Sequence, residues 1–195
     1  YCFSCGTHTK SDNKEAGQLS ERGLKSREIT PVTNVFRAIP KRGLTEEAIK
    51  KFMIDVVVGK DSDVGHRYPY FKDGQHVANK IRKKGEKAFD WEAESKESIN
   101  GCELFGQSLF PTGSAKAITV VEGELDAASA WLLLGSRYPV VSVKSAGRAI
   151  QDCKGAYAYL NSFEDIVICF DKDEAKERPD GRSEESRVGK ECRSR

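Results

Sequence analysis

The sequence predicts two structural classes in succession: an α+β N-terminal part, then an α/β part with a central, mainly parallel sheet. Three observations carry this. Between Arg67 and Trp91, short β-prone runs are separated by Lys72-Asp73-Gly74-Gln75 and Lys83-Lys84-Gly85-Glu86, the pattern of an antiparallel meander. From Lys116 onward, short apolar runs alternate with helical segments, which implies parallel strands joined by right-handed crossovers. Two of those runs break straight into carboxylates. Ala117–Val121 runs into Glu122-Gly123-Glu124-Leu125-Asp126, and Ile166–Phe170 runs into Asp171-Lys172-Asp173-Glu174.

In chain order, residues 1–10 open on Tyr1-Cys2-Phe3-Ser4-Cys5-Gly6. The C-x-x-C spacing supplies two thiolates to one tetrahedral zinc, so Cys2 and Cys5 form half a zinc site; a redox pair is the weaker reading, since no strand precedes it. The motif starts at the first residue, and a fragment of a longer protein is expected. Residues 11–30 are polar, with Gly17 and Gly23, and read as a linker. Residues 31–112 form the N-terminal subdomain. Within it Leu44–Phe52 reads as a helix: Thr45 is placed to cap it, Glu46 and Glu47 favour its positive end, and Ala48, Ile49, Phe52 and Met53 form an apolar stripe.

The strands expected next are Arg67–Phe71, with Pro69 suggesting an edge position, His76–Arg82, and Ala88–Trp91. Tyr68, Tyr70 and Phe71 have the alternation of core residues, though aromatics also stack bases in single-strand binders. Residues 113–181 form the α/β domain. Its expected elements are strand Ala117–Val121, a helix from Leu125 to Leu134 ended by Gly135, strand Val140–Val143, a helix within Ala149–Phe163, and strand Ile166–Phe170. These strands read as buried on both faces, which makes Cys169 a core residue. Cys102 and Cys153 read as small buried hydrophobes.

Residues 182–195 have no periodicity and resemble the in-frame translation of a sequencing adapter, so they read as a non-native tail. They hold five basic and three acidic residues and thus carry the whole formal +2 of the 195-residue chain. Residues 1–181 are formally neutral, and overall basicity gives no argument for a nucleic-acid partner. At 38% hydrophobic and 32% charged, the chain has the composition of one or two small soluble domains. No apolar run approaches the ~20 residues of a membrane span, no secretory signal is present, and the scattered cysteines suit a reducing cytoplasm.

In open α/β sheets, ligands bind beyond the carboxyl ends of the strands. Glu122, Asp171 and Asp173 would there present hard oxygen donors suited to Mg²⁺ or Mn²⁺, and such an ion serves phosphoryl chemistry. Capping of the following helices is the alternative use of single acids such as Asp126 or Glu174.

At these residues the chain resembles the TOPRIM superfamily, through Val121-Glu122-Gly123-Glu124-Leu125-Asp126 and Phe170-Asp171-Lys172-Asp173-Glu174-Ala175. Arg42-Gly43-Leu44-Thr45, Lys80-Ile81-Arg82 and Leu104-Phe105-Gly106 narrow the resemblance to the primase half of phage primase–helicases. The resemblance implies template-directed synthesis of short RNA primers on single-stranded DNA from ribonucleoside triphosphates, in an infected bacterial cytoplasm and beside a fused or separate helicase. It implies catalytic roles for Glu122, Asp126, Asp171 and Asp173, with the metal on Glu122, Asp171 and Asp173. It implies nucleotide or template contacts for Lys80, Arg82 and Lys87, and zinc, in the full-length protein, on Cys2, Cys5 and two further cysteines. Ser145, in the loop after Val140–Val143, is a further candidate phosphate ligand. Two departures stand out: Lys176 replaces the glycine usual after D-x-D-x-A, and Lys144-Ser145-Ala146-Gly147 replaces a P-N-G-like loop. A TOPRIM nuclease or topoisomerase fragment, and a catalytically inactive single-stranded-DNA-binding module, are the competing readings.

Overall fold

The computed structural model describes residues 28–60, 62–85 and 89–171. Cys2, Cys5, Lys87, Asp173 and the tail 182–195 lie outside the described residues. The first sheet has four antiparallel strands in sequence order: β1 (Asp55–Val58), β2 (Asp63–Lys72), β3 (Gln75–Lys83) and β4 (Phe89–Ala93). The Asp73-Gly74 turn between β2 and β3 has positive φ at both residues, as the hairpin expectation required. β1 was not expected from the sequence; Asp55-Val56-Val57-Val58 is only four residues long and too short for a visible alternation.

Pro69 sits in β2, which has neighbours on both sides, so the edge expectation needs correcting. The reason it is tolerated is local. β1 pairs only with Asp63 to Arg67, so beyond Arg67 the strand has a single bonded partner, β3.

Helix α1 (Glu46–Lys51) starts as expected, with Thr45 Oγ1 accepting from the Ala48 N–H. A second helix, α2 (Lys96–Gly101), is capped in the same way by Ser95 and was missed in the sequence. The second sheet is parallel, with β5 (Ala117–Val121) between β6 (Val140–Ser142) and β7 (Asp165–Cys169). Helix α3 (Glu124–Leu133) follows β5, and Gly135 with φ +74° leads the chain out of it. The single helix expected within 149–163 is two, α4 (Ala149–Gly155) and α5 (Tyr157–Leu160), broken at Ala156.

β7 corrects a second expectation. It is an edge strand and all five of its residues are exposed, Ile166, Val167, Ile168 and Cys169 among them. Apolar character alone did not reveal that, among the described residues, Ile166, Val167 and Ile168 stay about half exposed, at 45%, 49% and 57%.

The two sheets share one core. Phe105 is its centre: its ring lies 5.9 Å from Phe52, 6.0 Å from Tyr68 and 5.7 Å from Tyr70. Its backbone exchanges two 3.0 Å hydrogen bonds with Ser142, extending the parallel sheet by one bridge. Gly106 completes this join. It has φ +82°, and a Cβ there would stand 3.0 Å from Phe52 Cε1. Leu104-Phe105-Gly106 is thus a packing motif. Tyr68 and Tyr70 are 1% exposed, which bears out the core reading over base stacking.

The outer face of the first sheet carries a polar ladder. Asp55, fully buried, accepts from Thr33 N–H (2.9 Å), Thr33 Oγ1 (2.7 Å), Val35 N–H (3.2 Å) and Arg67 (3.0 Å). Asn79 Nδ2 donates to Glu92 and to the Thr30 carbonyl. Thr30 to Val35 is therefore strapped across this sheet.

Candidate nucleotide and metal site

The acidic motifs meet at one edge of the parallel sheet. β5 and β7 pair from Ala117↔Asp165 to Val121↔Cys169. Glu122 leaves β5 one residue past the last pair and Asp171 leaves β7 two residues past it. Both carboxylates stand at the same end of adjacent strands, Glu122 half-buried and Asp171 exposed. Asp173 would be the third donor and lies outside the described residues. Among the described residues, no three His, Cys, Asp or Glu side chains form a group able to hold a metal ion. The described donors fit a hard divalent cation in chemistry, as carboxylates at a strand end, but form a partial set.

Asp126 sits in the first turn of α3. A Cβ at Gly123 would be 2.6 Å from Asp126 Oδ2. Gly123 has φ −127° and ψ 158°, which any residue can adopt. A side chain there would push the Asp126 carboxylate aside, so glycine leaves room for that carboxylate and does not serve the tight turn that the sequence suggested. Arg42 approaches Asp126 at 3.8 Å from the adjoining turn. Gly43 (φ +66°), buried Leu44 and the capping Thr45 explain the rest of Arg42-Gly43-Leu44-Thr45.

Lys80 lies between the two sheets, 5% exposed. Its ammonium donates to Glu124 Oε1 at 2.7 Å and to the Lys144 carbonyl at 2.6 Å, and stands 4.1 Å over the Phe89 ring. Tyr70 O–H donates to the same Glu124 oxygen at 2.6 Å. Burial, and then the Glu124 charge, push the Tyr70 hydroxyl well above its ordinary pKa, so it stays a donor. The Lys144 ammonium is also buried, bonded to the Cys102 carbonyl at 2.9 Å and to Asp152 at 3.2 Å. No role in a buried polar network was expected from the sequence for Glu124, Tyr70, Lys144 or Asp152. The middle acid of E-G-E-x-D was the available signal for Glu124. Ser145 lies exposed in the loop after β6, with no capping bond from its side chain.

Beside Asp126 a cavity of about 640 Å³ opens between the Arg37–Arg42 segment, β2, β3 and Leu125. Arg37, Lys41, Arg42, Arg82, Lys83 and Lys84 supply its cationic rim. Ile39, Pro40, Val56 and Leu125 supply apolar surface. Its single acid, Asp63, is bonded to Arg37 at 2.6 Å. An apolar floor under convergent cations at this volume suits a phosphorylated heteroaromatic ligand. Arg82, of the expected nucleotide ligands, is on this wall; Lys80 is enclosed behind it.

No protein-family model matches the chain. The sequence is similar to a DNA helicase/primase of Enterobacteria phage T3, 28% identical over 187 residues, 90% of this chain and 31% of the relative. The fold is similar to the crystal structure of the primase fragment of the bacteriophage T7 primase-helicase protein. The TM-score is 0.64 at 28% identity, with 83% of this chain and 64% of that chain covered. It is also similar, at TM-score 0.61 and 28% identity, to a chain in a structure of the T7 lagging-strand DNA polymerase. There the polymerase interacts with primase domains bound to an RNA/DNA hybrid and dTTP; 71% of this chain and 60% of that chain are covered. The chain thus spans less than a third of the curated relative and under two thirds of the solved chains. The resemblance to phage primase–helicases carried by the motifs is met in both sequence and fold.

Proposed function

We propose that this chain is the primer-synthesising part of a phage primase, a TOPRIM nucleotidyltransferase that joins ribonucleotides on a single-stranded DNA template. What carries the reading is the placement of Glu122 and Asp171 at neighbouring strand ends, with a cationic cavity lined by Leu125 and by Arg42, which approaches Asp126 at 3.8 Å. The similarity to phage primases supports it.

Glu122, Asp171 and Asp173 would hold Mg²⁺ or Mn²⁺, which when bound neutralises the triphosphate and the departing pyrophosphate. Glu122 accepts the proton of the attacking 3′ hydroxyl. The rim of Arg42, Arg82, Lys83 and Lys84 takes the phosphates of the incoming nucleotide. Lys80 positions rather than binds: through Glu124 it fixes the first turn of α3, and with it Asp126. Zinc on Cys2 and Cys5, and a helicase in the same or a separate polypeptide, belong to this reading of a longer protein. Among the described residues no helix is long and apolar enough to cross a membrane.

Incubating the chain with single-stranded DNA, Mg²⁺ and labelled ribonucleotides should yield short RNA oligomers. Glu122→Gln and Asp171→Asn should lower the yield at least 100-fold, on the order of loss of a catalytic group, with unchanged circular dichroism. Shortened template would instead identify a nuclease, and binding without product an inactive module. Wild-type yield from either variant would remove that residue from the site.

A further inference from the structure

His66 lies on the cavity wall, half-buried, between the floor and the cationic rim. Its strand register places it opposite Val56 of β1 on one side and Arg82 of β3 on the other. We propose that His66 is a specificity-determining ligand of this cavity, donating a hydrogen bond to a phosphate oxygen of a bound nucleoside triphosphate and taking up a proton as that ligand binds. The inference rests on the cavity being the nucleotide site of the primase reading and adds which residue senses ligand charge there.

The argument is electrostatic. The charged residues that line the cavity with His66 are Asp63 on its own strand, Arg82, Lys83 and Lys84 from β3 and its turn, Arg42 and Lys41 from the turn before α1, and Arg37 ahead of it. Of these Asp63, Arg82 and Arg42 act on the imidazole, and Asp126 of α3 stands 3.8 Å from Arg42. Val56 and Leu125 contribute apolar surface and no charge. Burial is the largest influence and lowers the imidazole pKa; Asp63 opposes it, and Arg82 and Arg42 reinforce it. The free site therefore holds a neutral ring at neutral pH. The carboxylates near the ring are each already set against a guanidinium, Asp63 on Arg37 at 2.6 Å and Asp126 near Arg42 at 3.8 Å, and their pull on an imidazolium is outweighed by burial and the remaining cations. A polyphosphate seated on Arg42 and Arg82 reverses the sign of that environment. It cancels the repulsion of both guanidiniums and supplies acceptor oxygens, so the bound ring holds its proton.

The sign follows. A ring whose pKa rises on binding ties affinity to proton uptake: binding is tightest at low pH and weakens as pH rises between the free and bound pKa values. The gain scales with ligand charge, so a triphosphate is favoured over a monophosphate. A phosphodiester strand, with one charge per phosphate, gains less, which favours the nucleotide as ligand.

The test is equilibrium binding of inorganic tripolyphosphate to the full chain at pH 6, 7 and 8, for wild type and His66→Gln. Taking the wild-type-to-variant affinity ratio removes the ligand's own ionisation. That ratio should fall about 3- to 10-fold from pH 6 to pH 8, within the tenfold per pH unit allowed to one proton. A second readout needs no functional variant. Of the three histidines, the ring resonance absent in His66→Gln should titrate with a higher midpoint once tripolyphosphate is bound. A pH-independent ratio, or an unmoved midpoint, overturns the role of His66 while leaving the cavity as the site. Absence of tripolyphosphate binding, or wild-type binding by both Arg42→Gln and Arg82→Gln, overturns the cavity reading itself. A pH-dependent ratio seen with a single-stranded oligodeoxynucleotide but not with tripolyphosphate overturns the choice of ligand.

Discussion

Replacing Lys80 by methionine tests the join between the two sheets. Lys80 and Glu124 are 5% and 4% exposed, so the pair is screened little by solvent. Removing one partner of a buried pair costs about 3–5 kcal/mol, because the other charge stays behind uncompensated. Glu124 keeps the Tyr70 hydroxyl, and a hydrogen bond to a charged group is worth about 1.5–3 kcal/mol, so the loss belongs near the lower bound, about 3 kcal/mol. Against a total of roughly 5–15 kcal/mol for a domain, that is a large fraction. Replacing all three polar groups, in Tyr70→Phe/Lys80→Met/Glu124→Leu, leaves no orphaned charge and should cost less than Lys80→Met alone. A surface pair provides the control. Lys83 and Asp90 lie 3.0 Å apart with side chains 50% and 41% exposed, and Lys83→Met should change stability by at most about 1 kcal/mol. Urea unfolding at constant m-value measures all three. A cost below about 1 kcal/mol for Lys80→Met, or a triple variant weaker than the single one, would refute the buried-pair argument.

Three other perturbations probe separate features. Gly106→Ala must hold a side chain at φ +82° against Phe52 and should lose about 2 kcal/mol, seen as a lowered Tm. Asp55→Ala takes the nearer carboxylate from the buried Arg67, which keeps Glu92 at 3.6 Å, and frees the strap; a loss of about 3 kcal/mol is expected, with faster amide exchange at Thr33 and Val35. Burial pushes the Cys102 thiol up to about 11, so at pH 8 it is almost wholly protonated, whereas Cys169 is exposed. Iodoacetamide followed by peptide mass mapping should label Cys169 first, and equal labelling of Cys102 would contradict the packing.

Much of the architecture was legible because it depends on local chemistry. Thr45, Asp73-Gly74 and Gly135 each announce a cap or turn through their own backbone preferences, and each is where expected. The strand ends carrying Glu122 and Asp171 were legible because a β-branched run stops abruptly at charge. What was not legible depends on partners distant in sequence. β1 is a strand because Arg67 and His66 pair with it, and β7 is exposed because it pairs with β5 alone among the described strands. Lys80 was expected to contact nucleotide or template, and only its alignment opposite Tyr68 and Trp91 turns it toward Glu124. The cavity escaped for the same reason: Arg37, Arg42 and His66 are scattered in the chain and converge only when β2 folds against the turn before α1.

The shared Glu124 oxygen has a mechanical corollary. One carboxylate receives Tyr70 from β2 and Lys80 from β3, and Lys80 also grips main chain after β6. Prising the halves apart would strand all of these polar groups together, so a jaw-like opening between the sheets is costly. Access to the cavity depends instead on the positions of the rim side chains, Arg42 and Arg82 among them. Amide exchange should then report β3 and α3 opening as a single cooperative unit.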